Sequence, residues 1–89
     1  MKSETTKDFR LCYRRLPKYI QELARKNYYL WLEDNSHASI QFKKVHNSEP
    51  IFSARVGLQY RVLGIMDDDT IVWFWIGSHN DYDKLLQQL

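Results

Sequence analysis

Eighty-nine residues, 44% hydrophobic and 15% aromatic, suffice for one domain with one modest core, and only five Pro and Gly argue against extended disorder. A lone cysteine, Cys12, excludes an internal disulfide framework and suits a reducing compartment, while the most apolar run, Thr70 to Ile76, is far too short to span a bilayer. The formal charge is only +2, but residues 1–39 hold eight Lys/Arg against five Asp/Glu and residues 40–89 hold five against six, so the positive excess lies in the first half and hints at a polyanionic partner.

The first residues, Met1 to Thr6, are polar and lead into a helix rather than an apolar signal core, so a soluble cytosolic protein without a membrane segment is expected. Thr5-x-x-Asp8 has the form of a capping box, in which each side chain satisfies a free backbone N–H of the first helical turn. Phe9, Cys12, Tyr13 and Leu16 then form one apolar stripe at helical spacing. Pro17 stops this helix and opens the next, whose buried face is Ile20, Leu23, Ala24, Tyr28 and Trp31, with Asp34-Asn35-Ser36 at its end. The two helices are expected to form a hairpin across Leu16-Pro17.

From Ile40 the period changes. Short strands are expected over Ile40 to Val45, Ile51 to Val56, Gln59 to Met66 and Thr70 to Ile76, with tight connections at Gly57 and Asp67 to Asp69. A four-stranded antiparallel meander is the simplest arrangement, its last strand apolar on both faces and therefore covered on both, with Trp73 and Trp75 on one face. Ser78-x-x-Asp81 is a second capping box, and Tyr82, Leu85, Leu86 and Leu89 complete a short terminal helix. The fold class is thus α+β: an N-terminal helical hairpin, a small antiparallel sheet and a short C-terminal helix in a single domain, 1–89. Its thirteen aromatic residues (three Trp, six Tyr, four Phe) exceed what such a core needs, so some are expected at a binding surface.

Most catalytic signatures are missing. There is no phosphate-cradling glycine loop, no nucleophile elbow and no paired Cys or His at zinc spacing; His37, His46 and His79 are too scattered to argue for a metal, and no cofactor is implied. Cationic and imidazole chemistry remains. Lys43 and Lys44, Arg55 and Arg61 lie on successive strands, and His79 opens the last helix with Tyr82 one turn on. A meander makes these strands neighbours, so the residues can converge on one sheet face. Such a set suits RNA cleavage by attack of the 2′-hydroxyl on its own phosphate, which needs proton transfer and positive charge on the developing pentavalent phosphate.

Taken singly, each residue has a plainer reading. His79 next to a helix cap is commonly solvated, Arg61 beside Tyr60 can snorkel off a strand edge, and Trp73 and Trp75 suit a core. Lys43 and Lys44 must point to opposite faces, so only one of them can serve a given site. Arg10, Arg14, Arg15 and Lys18 are the wet side of an amphipathic helix.

Together, however, Phe42-Lys-Lys-Val45, Ser53-Ala-Arg55-Val-Gly57, Tyr60-Arg61-x-Leu63-Gly64 and Trp73-Phe-Trp-Ile-Gly-Ser-His79-x-x-Tyr82-Asp83 resemble the RelE/ParE superfamily of type II toxin–antitoxin toxins, in the order and spacing of its HigB/RelE-like members. The resemblance runs over roughly residues 5–88 and is stronger in the sheet and last helix. It implies a microbial-ribonuclease-like α+β fold, an antitoxin protein as partner and cleavage of mRNA on the ribosome. It also implies roles: Arg61 falls on the arginine that contacts the scissile phosphate, His79 on a catalytic Arg/His position after the last strand, Tyr82 on or beside a substrate-orienting helix tyrosine, and Arg55 on a basic residue one strand back. Where RelE itself carries two lysines before the Tyr-Arg motif, Phe52, Ser53 and Ala54 stand here, which shifts acid–base weight to His79 and leaves Lys43 or Lys44 as a source of charge. The basic helical face, with Arg10, Arg14 and Arg15, would dock on ribosomal RNA. ParE-type toxins, which inhibit DNA gyrase by binding, are the non-enzymatic alternative, and an inactive remnant is a third.

Overall fold

The computed structural model, which describes residues 1–89, sets the most apolar segment of the sequence second from the edge of a five-stranded sheet. The elements in chain order are β1 (Lys2–Thr5), α1 (Lys7–Arg14), α2 (Lys18–Glu33), β2 (Lys43–Lys44), β3 (Ile51–Val56), β4 (Tyr60–Asp67), β5 (Thr70–Ser78) and α3 (His79–Gln88). In space the strands run β1-β5-β4-β3-β2, so β2 to β5 form the expected antiparallel meander.

The first strand corrects the expected four-stranded antiparallel sheet. Residues 2–5 pair in parallel with β5, Ser3 opposite Ile71 and Thr5 opposite Trp73. Lys-Ser-Glu-Thr has no apolar alternation to announce a strand. The open edge of β5 recruits it, because that edge carries backbone donors and acceptors that need partners. With Thr5 committed to the strand, the helix cap moves one residue along: Thr6, not Thr5, accepts the Phe9 N–H through its hydroxyl at 3.1 Å.

The helical hairpin forms as expected around Pro17, the N-cap of α2. Tyr13 donates its hydroxyl to the Gln21 carbonyl (3.1 Å), and Gln21 donates back to that of Leu16 (3.1 Å). Ile20 and Trp31 are buried against the sheet with Ile40, Ala54, Val56, Val62, Ile71, Trp73 and Ile76. Tyr28, expected in that core, is 37% exposed and hydrogen-bonds Ser3 on β1 instead. On the opposite sheet face α3 contributes Tyr82 to a smaller cluster with Ile51 and Leu63, flanked by Phe74, Trp75, Leu85 and Leu86. Leu89, expected in that stripe, is 44% exposed.

A register slip decides what each face carries. Leu63 pairs with Trp75 while Gly64 pairs with Trp73, so Phe74 is the extra residue of a bulge. Trp73 and Trp75 therefore do not share a face: Trp73 enters the hairpin-side core, and Phe74 and Trp75 both join the cluster under α3. The expected strand Ile40 to Val45 shrinks to Lys43–Lys44 because Gln41 takes a left-handed backbone (φ 51°), and the Arg55 N–H bonds the Ile40 carbonyl. No helix is long and apolar enough to cross a membrane.

Candidate active site

Residues directly opposite in an antiparallel ladder project to the same side. Arg55 faces Arg61, Arg61 faces Gly77, and Lys43 faces Ser53, so these belong to the face covered by α3. Lys44 faces Phe52 and belongs to the hairpin side. Of the two lysines, Lys43 is the one that shares the face of Arg61.

Arg61 sits on β4, the middle strand, and is only 4% exposed. The expectation of a surface arginine snorkelling from an edge is thus overturned, for a topological reason: the strand is flanked by β3 and β5 and roofed by α3. Nε and Nη2 both donate to the hydroxyl of Ser53, at 3.2 and 2.5 Å, and Nη1 donates to Oε1 of Gln41 at 3.1 Å. The guanidinium carbon lies 5.3 Å from the centre of the Tyr82 ring, in range of a cation–π contact. No carboxylate reaches it; the sole close contact between an acidic and a basic side chain in the structure joins Asp83 and His79. Burial pulls the guanidinium below its ordinary pKa, Tyr82 opposes this, Arg55 adds to it and Asp83 opposes it. An arginine remains charged at neutral pH regardless, so the fold encloses a cation whose direct hydrogen-bond partners, Ser53 and Gln41, are neutral.

His79 is the first residue of α3, which Ser78 caps by accepting the Asp81 N–H at 3.2 Å, one half of the second expected capping box. The His79 side chain is 48% exposed. Its ring meets the buried Tyr82 edge-on at 5.6 Å, and its Nδ1 lies 3.2 Å from an Asp83 carboxylate oxygen one turn along. A carboxylate accepts only, so Nδ1 carries the hydrogen and Nε2 is the free nitrogen. Arg61, Tyr82 and His79 thus form a contiguous row. Gly77 makes room beside it: a Cβ there would lie 2.6 Å from Cζ2 of Trp75, whose indole lies across the glycine opposite Arg61.

Arg10, Arg14 and Arg15 are not part of this row. They lie on the wet side of α1, whose apolar side packs on the hairpin-side core, and Arg10 is tied to the Thr5 carbonyl (3.0 Å) and hydroxyl (3.1 Å). Arg15 reaches a groove of about 410 Å³ lined by Leu11, Cys12, Phe74, Trp75 and Leu85. A cavity of about 580 Å³ under the hairpin lies across the sheet from His79 and Tyr82, and most of its lining is apolar core. Three residues of the site carried no role in the sequence reading: Ser53, Gln41 and Asp83. A serine between Phe52 and Ala54 in a largely apolar strand was the available signal for the first, and the i, i+4 spacing from His79 for the third; nothing marked Gln41.

In structure the chain is similar to RelE in the RelB–RelE antitoxin–toxin complex of Methanococcus jannaschii, with TM-score 0.67 and 22% identity over 92% of this chain and 96% of that one. It is similar to the RelBE2 toxin–antitoxin complex of Mycobacterium tuberculosis (TM-score 0.69, 23% identity, 88% and 96% covered) and to YafQ of E. coli (0.66, 14%, 91% and 96%). These likenesses establish the fold, a RelE-type α+β toxin fold. No curated protein matches the sequence. The family model of the ParE-like toxin domain matches residues 18–84, well over half of the chain. The chain belongs to the ParE-like toxin family, in agreement with the resemblance read from the sequence, and it shares its fold with the RelE structures.

Proposed function

We propose that residues 1–89 form one toxin domain that cleaves mRNA, on the ribosome, and so stops translation in the cytoplasm. The observation that carries this reading is Arg61: a buried guanidinium with no carboxylate partner, in a row with Tyr82 and His79 and with Arg55 directly across the ladder. Burial without an internal anion costs free energy that a bound phosphate would offset. In the reaction the 2′-hydroxyl attacks its own phosphate. Arg61, with Arg55 and Lys43 on the same face, stabilises the charge on the phosphoryl oxygens. His79, oriented by Asp83 through Nδ1, moves a proton at Nε2 to or from the ribose-phosphate. Tyr82 holds Arg61 from above and offers its edge to the histidine. Arg10, Arg14 and Arg15 would supply a separate basic surface for ribosomal RNA.

A gyrase-binding toxin is the second reading. It is favoured by the ParE-like character of the matching family model and by Ser53, fully buried where RelE carries a lysine strand. Induced expression with translation and DNA supercoiling measured separately distinguishes the two. Cut mRNA with unaltered supercoiling supports the nuclease; intact mRNA with altered supercoiling supports gyrase. The partner of either form is an antitoxin, as in the RelB–RelE complexes of similar fold, and a small protein encoded next to this chain should co-purify with it.

A further inference from the structure

The guanidinium of Arg61 has an inner and an outer side. Nε and Nη2 turn inward to Ser53, which is fully buried, whereas Nη1 meets the amide oxygen of Gln41, an exposed residue. Gln41 holds a left-handed backbone, φ 51°, in a region that side chains other than Gly, Asn and Asp seldom enter. Its neighbours impose it. Ile40 is 1% exposed and its carbonyl holds the Arg55 N–H at 2.6 Å. Phe42 is stacked on Phe52 at 4.9 Å and set edge-on to Trp31 and Trp73 at 5.7 and 6.2 Å. Between two such anchors the strained residue delivers one neutral acceptor to the outward nitrogen of a buried cation.

We propose that Gln41 is a placeholder: its amide oxygen occupies, in the free chain, the position where a non-bridging oxygen of an RNA phosphodiester binds Nη1 of Arg61, and it gives way when the phosphate enters. This inference rests on the reading of Arg61 as the phosphate-binding residue. A neutral acceptor satisfies the donor without cancelling its charge, and an anionic oxygen displaces it because hydrogen bonds charged on both sides are the stronger ones. A carboxylate at the same position would pair with Arg61 and keep the site shut. Release of the left-handed backbone helps the amide to leave.

The test measures binding of a short RNA with a 2′-O-methyl group at every residue, which cannot be cleaved by 2′-hydroxyl attack, by fluorescence anisotropy, alongside the thermal midpoint. Gln41→Glu should weaken binding on the order of tenfold or more and raise the midpoint, since it converts a neutral hydrogen bond into an ion pair. Ser39→Glu, the same charge two residues away on an exposed site, should change affinity by no more than about threefold. Gln41→Gly, which removes amide and strain together, should bind as well as the parent or better. The proposal fails if Gln41→Glu binds no worse than Ser39→Glu, if it lowers the midpoint as a merely structural residue would, or if Gln41→Gly loses binding. Arg61→Met separates the two levels. Loss of binding in Arg61→Met with unaffected Gln41→Glu leaves the phosphate site standing and removes the placeholder; unaffected binding in Arg61→Met removes both.

Discussion

Replacing Arg61 by alanine tests the site, and the structure corrects what to expect of the fold. A surface arginine could be removed at no cost, but this one is 4% exposed. Its loss deprives the fully buried Ser53 hydroxyl of both guanidinium donors, worth about 1–3 kcal/mol if that oxygen is left unpaired. It also removes the contact with Tyr82, about 1–2 kcal/mol when desolvated, and leaves a void between β4 and α3. Against these stands the relief of no longer burying a cation, several kcal/mol per ion. These losses, about 2–5 kcal/mol before the void is counted, and the relief are of similar size, so the midpoint should move by no more than roughly 20 °C, at about 4–8 °C per kcal/mol for a domain of this length. Loss of growth inhibition in Arg61→Ala alone would therefore mix chemistry with folding. Arg61→Met keeps most of the stem volume, so it is the cleaner variant. Both should be assayed for mRNA cleavage below their own midpoints, measured by circular dichroism. The folded methionine variant should lose on the order of a hundredfold or more in cleavage, as for removal of one donor to a transition-state anion. Full cleavage by a folded Arg61→Met protein would refute the reasoning and show that the enclosed cation serves the fold alone.

The remaining expectations are independent of that result. His79→Gln should lose roughly a hundred- to ten-thousandfold in ribosomal mRNA cleavage, because an amide exchanges no proton, while the half-exposed position leaves the thermal midpoint close to the parent's. Retained cleavage would reduce the histidine to a helix-opening residue. Gly77→Ala puts a methyl 2.6 Å from the Trp75 ring and should cost about 1–3 kcal/mol in chemical denaturation, with a change in tryptophan fluorescence as the indole tilts. Ser78→Ala removes the cap of the helix that carries His79 and Tyr82, at about 1 kcal/mol, and should lower cleavage more than the stability loss alone accounts for. Unchanged cleavage would show that α3 holds its place through Tyr82, Leu85 and Leu86 without the cap.

Where local patterns are strong, the sequence is legible. The helical stripe of α1, that of α2 apart from Tyr28, the break at Pro17 and the Ser78 cap all rest on interactions within a few residues, and they stand where expected. β3 is bounded as expected at Ile51 and Val56 because apolar and turn residues change abruptly there. What stayed hidden depends on partners distant in the chain. β1 is polar and exists through its pairing with β5; the bulge at Phe74 comes from fitting β5 to β4 and reverses the expected side of Trp75. The site divides along the same line. The candidates Arg61, His79 and Tyr82 could be read, and so could the opposite faces of Lys43 and Lys44. That Arg61 would be enclosed, with Ser53 behind it and Gln41 in front, follows only from where the meander and α3 meet.

The two halves of the row are also held differently, which bears on how the site works. Arg61 belongs to the middle strand and is fixed from behind by a buried hydroxyl, so its position is that of the sheet itself. His79 and Tyr82 ride on a helix of ten residues that grips the sheet through one buried tyrosine and two half-buried leucines. Precision of a site follows from the rigidity of what carries it. In the proposed reaction the cation would therefore be the fixed reference for a bound phosphate and the imidazole the adjustable member, set by Ser78 at its cap and Asp83 one turn along. Enclosing Arg61 under that helix makes the short element do two things at once. It supplies the ring that holds the guanidinium, and it carries the imidazole that the proposed cleavage would use for proton transfer.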